Sequence, residues 1–366
     1  MQILKGGMRK MFNFGTHSFG QSIDVSGNTA IIGSDDTPLY GHINCGTAYV
    51  YKNRNGKWKE LQKLIHPESL PDSFYGWSVS INEDESIIVV GADDQDTMGK
   101  CAGAVYVFQL KGRHYELKQR LYPPILNNSM SYFGFSVDVK RDMVLVGAPV
   151  YRGDTNSKNG SAYLFSRDGI FQFKTKNMGK TFYGGNVNIA KDHYIVTAHR
   201  EGSGAVYIYD EKFNMKLKIT SAGSKTFGKS IAIYDNYLLV GAPLEEGGGA
   251  AYLYEYHNGG YVLIDDFTPE MINNKNCFGY NVDVNKNHIV ISDIGSHNLE
   301  YENYVEDIDG YEGCVYIYNT STRKLTNTIY TQHRGGGHCL KLNGSQLFEG
   351  NPNINNNEGE VVIYDL

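Results

Sequence analysis

Phe133-Gly134-Phe135-Ser136-Val137-Asp138-Val139, then Val144-Leu145-Val146-Gly147-Ala148-Pro149, then Ala162-Tyr163-Leu164-Phe165: these three short segments of one 33-residue stretch decide the fold. The first alternates apolar and polar residues after an aromatic-glycine pair, as a half-buried strand does. The second is a continuous apolar run closed by Gly-Ala-Pro, as a strand buried on both faces is. The third is again β-branched and aromatic.

The same series returns along the chain. Aromatic-glycine pairs stand at Phe19-Gly20, Tyr75-Gly76, Phe133-Gly134, Tyr183-Gly184, Phe227-Gly228 and Phe278-Gly279, with a degenerate copy at Gly336-Gly337. Each is followed by an apolar run into Gly-Ala or its counterpart, and then by a segment such as Ala48-Tyr49-Val50-Tyr51 or Val315-Tyr316-Ile317-Tyr318. Fourteen positions separate Phe19 from Gly33, Phe133 from Gly147, Phe227 from Gly241, Phe278 from Ser292, and also Gly336 from Gly350, so the degenerate copy counts. Repeats start 44 to 58 residues apart, a period that fits propeller blades of several strands each.

A fourth strand follows in the earlier units, Trp58 to Leu64 in the first. The seventh unit ends at Leu366, directly after its third strand, so residues near Gln2 to Lys5, within a closing segment 1–11, are expected to complete it. The expectation is an all-β, seven-bladed β-propeller of four-stranded antiparallel blades. It spans 1–366 as a single domain, with blades starting near 19, 75, 133, 183, 227, 278 and 336 and the ring closed by the N-terminal strand.

Composition agrees and excludes some functions. Gly numbers 42 and Tyr 28 against 9 Pro, which suits many short strands and tight turns. The formal charge of −6, without a basic stripe, argues against a nucleic-acid partner. Five cysteines (Cys45, Cys101, Cys277, Cys314, Cys339) include no CxxC pair, so neither zinc nor a disulfide framework is signalled and a reducing compartment is favoured. No apolar leader and no stretch near 18 apolar residues occur, so no membrane span is expected and an intracellular or virion-associated location is favoured. The oligomeric state is not legible.

Seven such motifs in register resemble the FG-GAP repeats of the integrin α-subunit head and related propellers, over nearly the whole chain. The resemblance implies ligand binding on the upper face, where the loops between strands two and three emerge beside the loops joining blades. It also implies calcium loops of the DxDxDG type between strands one and two. Those hairpins read Ser26-Gly27-Asn28 and Lys140-Arg141-Asp142 in the first and third blades, too poor in oxygen ligands, so no metal and no cofactor is expected there.

The upper-face loops hold the candidate ligand-binding residues: Asp35 and Asp36, Asp93 and Asp94, and in the long loop of the sixth blade Tyr301, Tyr304, Glu306, Asp307, Asp309 and Tyr311. Tyrosines among acids suit recognition, with a solvated acidic loop as the alternative. Asp307-Ile308-Asp309-Gly310 is half of a calcium loop and lacks the remaining ligands. A polar register on the inner strands, with Asp24, Asp138, Asn188, Asp283 and Lys341, is expected to line the central channel, as hydrogen-bonded solvent contacts in preference to a cation cage. Gly223 to Ser230 matches the P-loop expression, yet Ser230-Ile231-Ala232-Ile233 alternates as a strand, so the match is by chance. Histidines such as His66 and His193 are expected at the surface or in caps. Without HExxH or GxSxG, the reading is a non-enzymatic binding or scaffold propeller that recognises a protein or glycan through acidic upper-face loops. The alternatives are a hydrolase acting on carbohydrate or lipid at the channel mouth, and a self-assembling structural component.

Overall fold

A computed structural model of the protein describes residues 1–5, 18–124, 130–149, 160–166, 168–175, 181–221, 223, 225–269, 277–294, 313–331, 336–354 and 358–366. Among them lie seven four-stranded antiparallel sheets and no helix. The first blade runs outward from the axis as β2 (Ile23–Ser26), β3 (Thr29–Ser34), β4 (Thr47–Arg54) and β5 (Lys57–Ile65). The inner strands of the next five blades are β6 (Val79–Ile81), β10 (Ser136–Lys140), β14 (Tyr183–Ile189), β18 (Ser230–Tyr234) and β22 (Phe278–Val284). The seventh blade orders β26 (Cys339–Asn343), β27 (Gln346–Asn351), β28 (Glu360–Asp365) and, outermost, β1 (Gln2–Leu4). β1 pairs with β28 in the register Gln2↔Ile363, Ile3↔Val362, Leu4↔Val361, so the N-terminal strand closes the ring as expected. Each inner strand touches the inner strands on both sides, β26 against β2 included.

The buried apolar side chains fall into seven clusters, one at each junction between blades. Ile31 and Val50 of the first blade pack with Ile88 and Tyr106 of the second, and Phe348 and Val361 of the seventh pack with Ile32 and Tyr49 of the first. This explains the continuous apolar runs, because the second and third strands are covered on both faces. Six of the motif aromatics meet the first tyrosine or its equivalent in the same blade edge-on: Phe19–Tyr49, Tyr75–Tyr106, Phe133–Tyr163, Tyr183–Tyr207, Phe227–Tyr252 and Phe278–Tyr316, with centroids 5.1 to 5.6 Å apart. The seventh copy has Gly336 and Val362 at those places. Beside them Glu349, fully buried at 0% exposure, replaces the aliphatic residue of the other blades and accepts the Tyr364 hydroxyl at 2.8 Å.

The two motif glycines are one contact. A Cβ on Gly33 would lie 1.9 Å from the carbonyl oxygen of Gly76 in the next blade, and the same clash recurs at 2.1 to 2.2 Å for Gly91 on Gly134, Gly147 on Gly184, Gly241 on Gly279 and Gly350 on Gly20. A serine three positions after the aromatic clasps that same carbonyl: Ser22 to Gly76 (2.8 Å), Ser78 to Gly134 (2.7 Å), Ser136 to Gly184 (2.9 Å) and Ser230 to Gly279 (3.1 Å). In the fourth and sixth blades, Thr197 and Ser292 stand in place of the glycine and asparagine in place of the serine. There the Thr197 and Ser292 hydroxyls accept the backbone N–H of Asn186 and Asn281, while the Asn186 side-chain amide donates to Lys229 O and the Asn281 side-chain oxygen accepts the Leu340 N–H.

Candidate functional site

The upper-face acids do not form one exposed surface. Asp35 and Asp93 follow Gly33-Ser34 and Gly91-Ala92, where the second strand leaves the sheet, and each is 4% exposed. One oxygen of each, and one of Asp94, has no hydrogen-bond partner. Burial, then Asp36, pushes the Asp35 carboxyl well above the usual range; burial, then Asp94 and Asp35, does the same to Asp93. Asp36 is half-buried and accepts the Ser18 hydroxyl at 2.8 Å. Other upper acids serve the blades: Glu68 takes the Tyr106 hydroxyl at 2.5 Å and Arg120 at 2.6 Å, and Glu201 takes the Tyr207 hydroxyl and, at 2.6 Å, Lys218. Tyr301, Tyr304, Glu306, Asp307, Asp309 and Tyr311 lie outside the described residues.

The polar register on the inner strands is joined from blade to blade. Asp24 accepts the N–H of Ile81 (2.8 Å) and the Ser80 hydroxyl (3.0 Å), Asp138 accepts the N–H of Ile189 (2.6 Å), and Asp283 that of Leu342 (2.7 Å). Ser80 also donates to Asp138 at 3.2 Å, whereas Asn188 turns back to Val187 O. Lys341 pairs with Asp24 at 3.0 Å across the closing junction, and 33% of its side chain is still reached by solvent. Burial pushes its ammonium down, but Asp24, Asp283 and Asp138 outweigh that and hold it above the usual lysine range. These carboxylates are spent on backbone N–H groups and one lysine.

The hairpins that the family resemblance marks for calcium do not fit the ion. Asn28 N–H and the Thr29 hydroxyl both donate to Glu85 of the next blade, itself paired with Lys52, and Arg141 N–H is held by Glu83. No three His, Cys, Asp or Glu side chains converge as metal ligands among the described residues. The P-loop-like stretch leads into strand β18 rather than a helix, with Glu245 against Gly223 where a phosphate would have to sit.

A different group occupies the centre of this face. The residue after each motif glycine stands at the upper end of an inner strand: Gln21, Trp77, Phe135, Gly185, Lys229, Tyr280 and His338. Trp77 and Phe135 meet at 5.4 Å, and Phe135 meets Phe182 edge-on at 5.2 Å. The Phe182 ring fills the place a side chain on Gly185 would take, since a Cβ there would be 2.7 Å from it. The Arg200 guanidinium lies over Phe182 (4.7 Å), Lys229 over Tyr280 (5.6 Å), and Tyr280 meets His338 at 5.5 Å. His199, 3% exposed, packs on Phe182 at 4.6 Å, and its Nδ1 has no partner. Burial, with Lys229 and Arg200 nearby, keeps its imidazole well below the usual range and so neutral. The position had a signal in the repeat, the variable residue of aromatic-Gly-x-Ser, but a residue that differs in every blade looks like noise. Two of the histidines expected at the surface or in caps are buried, though His66 does accept the backbone N–H of Glu68. His66 sits against Tyr75 and Tyr106, and His193 is held between Asp192 (2.7 Å) and the Tyr261 hydroxyl (2.8 Å). Both fill gaps between blades that their polar edges bridge.

A search of curated proteins finds no match to the chain. A family model described as FG-GAP repeat matches residues 58–108, 127–165 and 221–254, stretches that run through the second, third and fifth blades' glycine contacts or their flanking strands. With the same glycine contact recurring round a closed ring of seven blades, the chain is a seven-bladed β-propeller, three stretches of which are similar to FG-GAP repeats.

Proposed function

We propose that this propeller is a binding module that takes a protein or glycan ligand on its upper face, centred on the mouth of the ring. The observation that carries this reading is the half-buried collar of Trp77, Phe135, Tyr280 and His338 with Arg200 and Lys229 among them. Aromatic and arginine side chains grouped at the centre of a surface, with a polar rim, are the residues that dominate binding energy in interfaces. In this reading the sixth-blade residues Glu306, Asp307 and Asp309 contribute to the polar rim.

The test is a pull-down from native lysate with the wild-type chain and with Trp77→Ala/Phe135→Ala, after equal thermal stability is established. Loss of a partner from the double variant supports the reading. Recovery of every partner at wild-type level overturns it. Glu306→Ala/Asp307→Ala/Asp309→Ala then reports whether the sixth-blade rim contributes.

A further inference from the structure

We infer that the hairpin tip on the upper loop of the first blade, Tyr40 with Ile43, is a preformed contact for a protein partner whose apolar pocket takes the tyrosine ring. The inference does not use the residues at the mouth of the ring.

Residues 35–46 join β3 to β4. Inside that loop Leu39 and His42 exchange backbone hydrogen bonds at 3.0 and 2.9 Å around Tyr40 and Gly41. Both central residues have a positive φ, +51° and +87°. A two-residue turn of this kind is ordinarily built from Asn, Asp or Gly, because a bulky side chain is strained there. Tyrosine stands in this one and is 81% exposed. No hydrogen bond or ring contact joins its side chain to another described residue.

The comparison within the chain is direct. Four other aromatics among the described residues have a positive φ: Phe74, Tyr132, Phe182 and Phe213. The first three each stand immediately before a motif aromatic-glycine pair, and Phe213 packs on Tyr194 and Tyr209. All four are buried or half-buried, so the fold uses their rings. It does not use the ring of Tyr40, and the reason for a strained aromatic there lies outside the chain.

The loop is braced from the segment that leads into the second blade. Asp72 N–H donates to Ile43 O (3.1 Å), Phe74 N–H to Asn44 O (3.0 Å), the Asn44 amide to Asp72 Oδ1 (2.9 Å) and the Ser73 hydroxyl to Cys45 O (3.0 Å). The buried Cys45 thiol lies 3.5 Å from His42 O. A tip braced in this way loses little freedom on association, and a tyrosine offers apolar area and a hydroxyl with few rotatable bonds. Tyr40 to Ile43 are four consecutive exposed residues, so the tip is convex. Small ligands are held in concave sites. A convex apolar tip fits a concavity in a macromolecule instead, and the exposed Asp72 beside it opposes an anionic membrane surface.

Two measurements on the intact chain test this. Tyr40→Asn gives the turn a residue it favours, and Tm is expected to rise by about 1 °C or more. A fall in Tm means that the ring supports the fold, and overturns the inference. For the contact itself, p-benzoylphenylalanine replaces Tyr40 and the chain is irradiated in native lysate. The control carries the same group in place of Tyr330, 69% exposed at the end of β25 (Leu325–Tyr330). The expected result is a protein adduct through the Tyr40 position, absent from the control and mapped by mass spectrometry to apolar residues of the partner. Excess wild-type chain lowers its yield about tenfold, and excess Tyr40→Asn or Ile43→Ser chain does not. No adduct, equal adducts at both positions, equal competition by Tyr40→Asn, or transfer of the label to lipid or glycan in place of protein each overturns the inference. The mouth of the ring is tested separately by Trp77→Ala/Phe135→Ala, and neither result decides the other.

Discussion

The side-chain amide of Gln2 bonds the backbone of Trp58 with both of its ends, Nε2 to Trp58 O at 2.8 Å and Oε1 from Trp58 N at 3.1 Å. Gln62 does the same to Tyr115, at 2.7 and 2.8 Å. In both cases a glutamine on the outermost strand of one blade grips the outermost strand of the next. The closing strand is thus a true fourth strand, with the same lateral tie as the fourth strand of the first blade. Gln2→Ala and Gln62→Ala are expected to cost about the same, ~1 to 2 kcal/mol each, by losing two hydrogen bonds and leaving an N–H without its partner. Gln172→Ala, whose exposed amide reaches Ile170 O two residues away, is expected to stay within about 0.5 kcal/mol. Urea unfolding of the three variants checks this.

The glycine contact between blades makes a sharper comparison. Gly33→Ala drives a methyl into the backbone carbonyl of Gly76, which sits in a neighbouring sheet and has little freedom to retreat. A loss of about 2 kcal/mol or more is expected. Gly56, at the tip of an outer hairpin, has φ +79° and nothing within 4 Å of an added Cβ. Gly56→Ala should cost about 1 kcal/mol, from left-handed backbone strain alone. Thermal melts that rank the two in the reverse order would remove the packing explanation of the motif.

Stability should fall with pH in a window set by Asp35 and Asp93. Burial raises both carboxyls in the folded state above the value of ~3.9 for an unfolded aspartate. The folded chain therefore holds protons that the unfolded chain releases. Stability from this pair is full below pH ~4 and declines as pH rises through the folded-state values. Asp35→Asn/Asp93→Asn is expected to flatten that decline and to raise Tm at pH 7 by about 2 °C or more. Melting curves from pH 4 to 8 decide it.

Glu349 and Tyr364 are expected to behave as a pair. Tyr364→Phe alone withdraws a hydrogen bond from a fully buried carboxyl, at a cost of about 1 to 3 kcal/mol. Glu349→Val/Tyr364→Phe restores the apolar layer found between the other blades and is expected to be neutral or stabilising. A double-mutant cycle should return a coupling of about 1 kcal/mol or more, and additive single effects would refute the pairing.

Most of the architecture was legible because glycine spacing is a backbone property: Gly33 and Gly147 are glycine for the same steric reason, and that reason leaves a fixed interval. Closure was legible from a missing strand. The site was much less so. An aspartate in a loop looks solvated, and Asp35 and Asp93 look alike in sequence whether a neighbouring blade covers them or not. The polar register was found, but which N–H each acid serves depends on blade-to-blade rotation that no local pattern records. Trp77, Phe135, Lys229 and Tyr280 share one position in the repeat but no residue type, so their place at the mouth emerges only once the ring is closed.

Closure also fixes an order of events. Gln2 finds its strand partner in Ile363, far along the chain, so a nascent chain carries an unmatched segment until that distant strand has been made. Six blades are able to assemble from neighbours in sequence, while the seventh depends on the longest loop closure in the molecule. Until then the faces of the first and last blades that meet at Phe19 and Phe348 are bare apolar surface. Faces that stay uncovered until two sequence-distant blades meet mark the seam as the place where misassembly between two chains would begin.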